Sequence, residues 1–286
     1  MVEFTVPEID YSRYSNRQLA AVPLAVLAVA LAVLVGSWAI AGSPVATGID
    51  FNGGSELTVE TQLSQEEVRS AFDTTPVAVQ GVQAEADTYR VTFDSSDVSG
   101  LTDQAESADM TVLQSGSTPA TFGADNQRWA LIGLVIAFAG MSILAFALFR
   151  TFVPSIAIVI SAFSDIVVPL AILSLLRIKL SLGTVAALLM LIGYSVDSDI
   201  LLNNHILRRR GDFYESTYRA METGVSMTVT SIVAMAVMAV MATYYDIDLM
   251  AQIGLVLVLG LSTDLMNTYM LNLSLLRWYK FEGVNR

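Results

Sequence analysis

The 286 residues contain no cysteine, which excludes disulfides and thiolate metal sites. Lysine is nearly missing, with only Lys179 and Lys280 against 13 arginines. A single histidine, His205, leaves no histidine pair for a metal, and there is neither a Walker-type loop nor a nucleophile elbow. No soluble segment carries an enzymatic constellation, so the reading is of a non-enzyme without metal or cofactor. Nucleic acid is also a poor partner. Between Ser43 and Gln127 there are 14 acidic residues against Arg69 and Arg90, so this one segment accounts for the whole net charge of -12 and would repel phosphates.

What the chain has in abundance is apolar surface: 54% of its residues are hydrophobic. A span needs about 20 largely apolar residues, and six segments qualify: 19–41, 129–149, 154–176, 182–204, 224–244 and 249–275. The fold class expected is a polytopic α-helical membrane protein with a small external α+β domain between the first two spans. Lys and Arg counts in the short flanks set the orientation. Arg13, Arg17, Arg150, the Arg208-Arg209-Arg210 triplet, Arg219, Arg277, Lys280 and Arg286 fall on one side, and only Arg128, Arg177 and Lys179 on the other. Both termini (1–18 and 276–286) and the loop 205–223 are therefore expected in the cytoplasm of a cell-membrane protein, with 42–128 outside. Arg13 and Arg17 before an apolar stretch that ends Ala39-Ile40-Ala41 also suit a signal peptide, but the stretch exceeds the 7–15 residues of a signal-peptide core.

In the outer segment, Glu56 to Thr61 alternates like a strand, and Ser64-Gln65-Glu66-Glu67 is a capping box opening a short helix to about Phe72. Strand-like runs follow at Val77 to Gln83 and Thr88 to Phe93. Strand, helix, strand, strand suggests a ferredoxin-like unit. The stretch 94–126 is rich in Ser, Thr, Gly, Asp and Gln and reads as linker, with one strand at Met110 to Gln114.

Four carboxylates lie inside the apolar spans: Asp165, Asp197, Asp199 and Asp264, with Asn203, Asn204 and Asn267 nearby. An Asp at the bilayer centre costs about 2.5–3.5 kcal/mol, so lipid-facing filler does not explain four. At 100° per residue, Asp197 shares a face with Asn204, and Asp199 with Ser195 and Asn203, the two acids lying roughly 160° apart. One helix thus turns polar groups to two sides. Asp165 precedes Pro169 by one turn, and Asp264 and Asn267 stand at i and i+3. Two readings stay open: a central polar path across three facing helices, or polar residues that merely bond neighbouring helices. His205 reads as an interfacial anchor, and the arginine triplet as a topology signal that also suits anionic membrane lipid.

Gly48-Ile49-Asp50-Phe51-Asn52-Gly53-Gly54 stands just beyond the first span, and Gly193-Tyr194-Ser195 opens the polar turn of the fourth. By itself the first motif reads as a flexible exit loop. With the topology, both motifs make the whole chain resemble the SecF branch of the SecD/SecF family, whose architecture is related to the resistance-nodulation-division transporters. The resemblance implies an accessory subunit of the Sec translocase. It implies a SecD-like companion, contact with the Sec channel and with the translocating polypeptide, and coupling to a proton or sodium gradient. Bacterial members follow Gly-Tyr-Ser with Asn-Asp-Thr and later Phe-Asp-Arg, where this chain has Asp197-Ser198-Asp199 and Asn203-Asn204-His205. The acid-rich, lysine-poor composition resembles that of halophilic archaea. Alternatives are half of a small-molecule or ion transporter of the same architecture, or an intramembrane aspartyl protease, for which Tyr245-Asp246 lies at a helix end and no Gly-x-Gly-Asp exists.

Overall fold

A computed structural model describes residues 10–208 and 213–283. Arg209, Arg210, Arg286 and parts of both expected tails and of the loop 205–223 lie outside the described residues. Among the described residues six helices are long and apolar enough to cross a membrane. The first, α1 (Asn16–Ala41), starts at a Ser15/Gln18 capping box and stops where Gly42 takes φ 76°.

A short α2 (Ile49–Asn52) leads into β1 (Gly54–Glu60), α3 (Gln65–Ser70), β2 (Ala78–Gly81), β3 (Thr88–Phe93), α4 (Val98–Ser107) and β4 (Thr111–Thr118). The four strands form one antiparallel sheet in the order β2-β3-β1-β4. Period-2 alternation explains its two faces. Leu57, Val59, Val79, Val91 and Phe93 point to α3 and α4, where Val68, Leu101 and Ala105 close a core. Glu56, Gln80, Arg90 and Thr92 line the opposite face, toward the ends of the long helices. Ser64 caps α3 by accepting from the Glu67 amide. In return the Ser64 amide first, then its hydroxyl, holds the Glu67 carboxyl below the usual range.

Several expectations need correction. Within residues 94–126 the strand expected at 110–114 is part of β4, which pairs along β1, but the rest is not a linker: Asp97 caps α4, and the next long helix begins at Ala120, not 129. The remaining long helices are α5 (Ala120–Phe149), α6 (Phe152–Leu175), α7 (Leu182–Arg208), α8 (Phe213–Tyr244) and α9 (Asp248–Met266). Helices α7 and α8 extend beyond their apolar stretches into the expected loop 205–223, since polar residues continue a helix outside the hydrocarbon at little cost. The sixth apolar stretch is not one α-helix: after α9 the chain widens into a π-helical turn at Asn267–Asn272 before α10 (Leu273–Trp278).

The Gly-rich motif is a joint, not a flexible loop. The Gly48 amide donates to Leu180 O at 2.8 Å, the Leu180 amide to Ala46 O at 2.7 Å, and Asp50 Oδ2 accepts from the Leu182 amide at the start of α7. Gly53 (φ 79°) and Gly54 (φ 132°) take backbone angles that disfavour side chains, and a Cβ on Gly53 would stand 2.7 Å from Ala120 Cα. The glycines therefore let the α5 start, β1 and the α7 start converge.

Candidate functional site: a buried acid cluster

Helices α6, α7 and α9 pack together at the centre of the bundle, with Ile158, Leu188, Leu191 and Leu257 in the shared core. Into that contact they bring Asp165, Asp199 and Asp264, each at most 1% exposed. Hydroxyls and amides, not cations, surround the three acids. Asp165 accepts from Ser195 Oγ and from Asn267 Nδ2, both at 2.6 Å. Asp199 Oδ1 accepts from Thr268 Oγ1 at 2.9 Å and Asn272 Nδ2 at 2.7 Å. Ser198 Oγ lies 2.9 Å and 3.0 Å from the two oxygens of Asp264. Its neighbours also include Ser195 O and Thr268 Oγ1, so Ser198 and Thr268 tie the acids of α7 and α9 into one network.

The π-helical turn matters here. A wide turn is a local departure from the i→i+4 ladder that frequently marks functional sites. It carries Asn267 toward Asp165 on α6 while Thr268 and Asn272 reach Asp199 on α7. One segment thus bridges two helices.

The network is only partly satisfied. Asp199 Oδ2, both side-chain polar atoms of Asn203, Asn267 Oδ1 and Asn272 Oδ1 are buried without a hydrogen-bond partner among the described residues. Each such atom costs about 1–3 kcal/mol, so polar groups at this density are poor for stability and point to function.

The other residues singled out in the sequence are elsewhere. Asp197 and Asn204 do not join the cluster: Asp197 is exposed on the outer side of α7 and Asn204 is half-buried. That division follows from the roughly 160° between Asp197 and Asp199. Gly193 and Tyr194 are exposed, while Ser195 is in the cluster. His205 Nδ1 donates to Leu201 O within its own helix, 2.9 Å away. Ser198, Thr268 and Asn272 escape a reading that looks for carboxylates. Their signal is nonetheless present, because Asp264, Thr268 and Asn272 recur every four residues and share one face of an apolar span.

Arg90 is a second polar centre that the sequence does not announce. From β3 it crosses to the α8–α9 turn, where Nη2 donates to Asp246 Oδ2 at 2.6 Å and Asp246 O at 2.7 Å. Nη1 pairs with Asp248, and Nε is 3.5 Å from Glu56. Burial pushes the Glu56 and Asp246 carboxyls up, and Arg90 pulls each only part of the way back. Beside this seam lies a cleft of about 610 Å³ between the sheet and the bundle, lined by Asp50, Glu56, Arg177 and Lys179 among others.

Comparison with known proteins agrees with this architecture. The model of the C-terminal part of the protein-export membrane proteins SecD/SecF matches residues 99–282. The chain is 64% identical to the protein-export membrane protein SecF of Haloferax volcanii and 60% identical to that of Haloquadratum walsbyi, in each case over the full length of both chains. In fold it is similar to the crystal structure of SecDF, a translocon-associated membrane protein from Thermus thermophilus, with a TM-score of 0.73 at 19% identity. That similarity covers 98% of this chain and 39% of the SecDF chain. The chain belongs to the SecF family of protein-export membrane proteins.

Proposed function

We propose that the chain assists the Sec translocase beside a SecD-like subunit, and that Asp165, Asp199 and Asp264 are the working centre of its membrane part. Membership of the SecF family makes it a component of protein export. In this reading the sheet with α3 and α4 is a ferredoxin-like domain outside the cell membrane, 42–128 with its connections, and both termini are cytoplasmic. The outer domain holds the emerging polypeptide. The arginine bias of the flanks supports that orientation.

The observation that carries the membrane part is the convergence of three acids from three helices on shared hydroxyls, with several buried polar atoms left over. A network with spare donors and acceptors has more than one arrangement of similar energy. Adding or removing a cation or proton changes which arrangement is preferred, and α6, α7 and α9 shift with it. Coupling to an ion gradient is proposed to enter here. Nothing in this role breaks a covalent bond, so the chain acts as a non-enzymatic subunit.

The test is depletion of the chain followed by pulse-chase measurement of a secreted protein, with affinity purification from native membranes. Slowed export together with recovery of a SecD-like companion is expected. Unchanged export and no companion would reject the reading. A change in drug or ion flux with normal export would favour half of a small-molecule or ion transporter.

A further inference from the structure

The cleft of about 610 Å³ beside the Arg90 seam falls within the range of small-molecule sites, about 300–1,000 Å³. One wall is the sheet, which offers Gln80 and Thr92, and the other includes the turn from α6 to α7, which offers Arg177 and Lys179. The acids of the cleft are already engaged. Glu56 and Asp248 pair with Arg90, and Asp50 accepts from the Leu182 amide. Arg177 and Lys179 differ: both are exposed, and neither has a carboxylate within ion-pair distance among the described residues. Two cations two residues apart thus face the cleft with no counter-charge of their own.

Their place in the chain is unusual. The net charge is -12 and there are only two lysines, yet one of them is here. The short flanks on the sheet's side of the bundle hold three cations, of which Arg177 and Lys179 are two and Arg128 the third. The pair falls where spans meet the membrane surface, since α6 ends at Leu175 and α7 begins at Leu182. Leu175 and Leu176 just before it are exposed, as is Leu249 in the lining of the cleft. Leucines at the rim of the hydrocarbon beside two free cations match a molecule with an apolar tail and an anionic head. A soluble anion would use the cations and leave the leucines bare. Basic pockets between membrane helices bind lipid head groups in this way, and a guanidinium fits phosphate oxygens with two parallel hydrogen bonds.

We propose that this cleft holds the head group of an anionic membrane lipid, its phosphate on Arg177 and Lys179 and its tails along Leu175 and Leu176. Gln80 and Thr92 supply further donors from the sheet, so a bound head group touches both walls. Lipid is then a third tie between sheet and bundle, beside Arg90 and the joint at Gly48. Binding here requires neither the companion subunit nor a particular orientation of the chain in the membrane.

In the test, the full chain is purified in detergent and offered an equimolar mixture of phosphatidylglycerol and phosphatidylcholine, and retained lipid is counted by native mass spectrometry. Preferential retention of phosphatidylglycerol is expected. Arg177→Gln and Lys179→Gln should each lower its affinity about fivefold, the effect of one basic residue at an anionic membrane surface. Lys179→Arg should keep it. Arg128→Gln removes a cation from the same side but not from the cleft, and should leave retention unchanged. Equal retention of the two lipids, or an equal fall in Arg128→Gln, overturns the proposal. So does displacement of the lipid by an equal concentration of inorganic phosphate or of an acidic peptide, which would mark a site for a soluble anion or for polypeptide.

Discussion

Replacing Arg90 by glutamine removes the one guanidinium that joins the sheet to the α8–α9 turn. The arginine side chain is 10% exposed and its three acidic partners, Asp246, Glu56 and Asp248, are 24%, 35% and 54% exposed. Breaking a fully buried ion pair costs about 3–5 kcal/mol and a surface pair about 0–1 kcal/mol. The seam lies between these limits. Arg90→Gln is therefore expected to weaken it by about 2 kcal/mol, roughly 30-fold in the balance between docked and undocked sheet. Hydrogen exchange measures this directly, because amides of the α8–α9 turn and of the joint at Gly48 should exchange faster in Arg90→Gln while those of the sheet core stay protected. The pH dependence has a defined sign. Glu56 and Asp246 titrate above their ordinary values in the folded chain, with burial as the leading cause. Their contribution is complete below the ordinary carboxylate range and is lost as pH rises through the raised values. The seam should loosen as pH rises above the ordinary carboxylate range, and more so in Arg90→Gln, where nothing offsets the carboxylates. Unchanged exchange at the turn in Arg90→Gln would refute the assignment of Arg90 as the link between sheet and bundle.

Further outcomes follow from packing and charge. Leu57, fully buried under α3 and α4, should cost the sheet domain about 2–5 kcal/mol when replaced by alanine, read as a lower melting transition. In Gly260→Val the added carbons meet the Leu191 side chain, so α7 and α9 should separate and the detergent-solubilised protein should lose about 1–3 kcal/mol, measured by thermal aggregation. The acidic segment 43–127 should lose stability as salt falls from about 1 M, where the Debye length is about 3 Å, to about 0.1 M, where it is about 10 Å. Circular dichroism melts across that range would show it, and a salt-independent transition would contradict it.

Local signals reached some elements and not others. The Ser64/Glu67 box and the alternation at Thr88–Phe93 depend on neighbouring residues only, and helix α3 and strand β3 stand at those positions. Helix α4 was hidden because its buried side is just Leu101 and Ala105, one turn apart, within a Ser, Gly and Asp-rich stretch that composition assigns to a linker. The strand expected at 110–114 is the first part of β4, which continues to Thr118 along one edge with mostly exposed side chains, so no buried alternation marks its remainder. In the membrane part, the helical angle between Asp197 and Asp199 was legible, but which of them faces inward depends on the packing of α6 and α9 against α7. The donors Thr268 and Asn272 reach Asp199 from a π-helical turn, a departure from regular geometry that no apolar period encodes. Arg90 finds Asp246 156 residues away in the chain, which only the fold can bring together.

The account stands most directly on the division between Asp199 and Asp197. The decisive measurement is the export rate of a secreted reporter in cells carrying Asp199→Asn or Asp264→Asn, taken together with recovery of the SecD-like companion from the same membranes. Slowed export with companion recovery unchanged is predicted for both variants. Normal export kinetics in both would contradict the account and reduce the buried acids to packing.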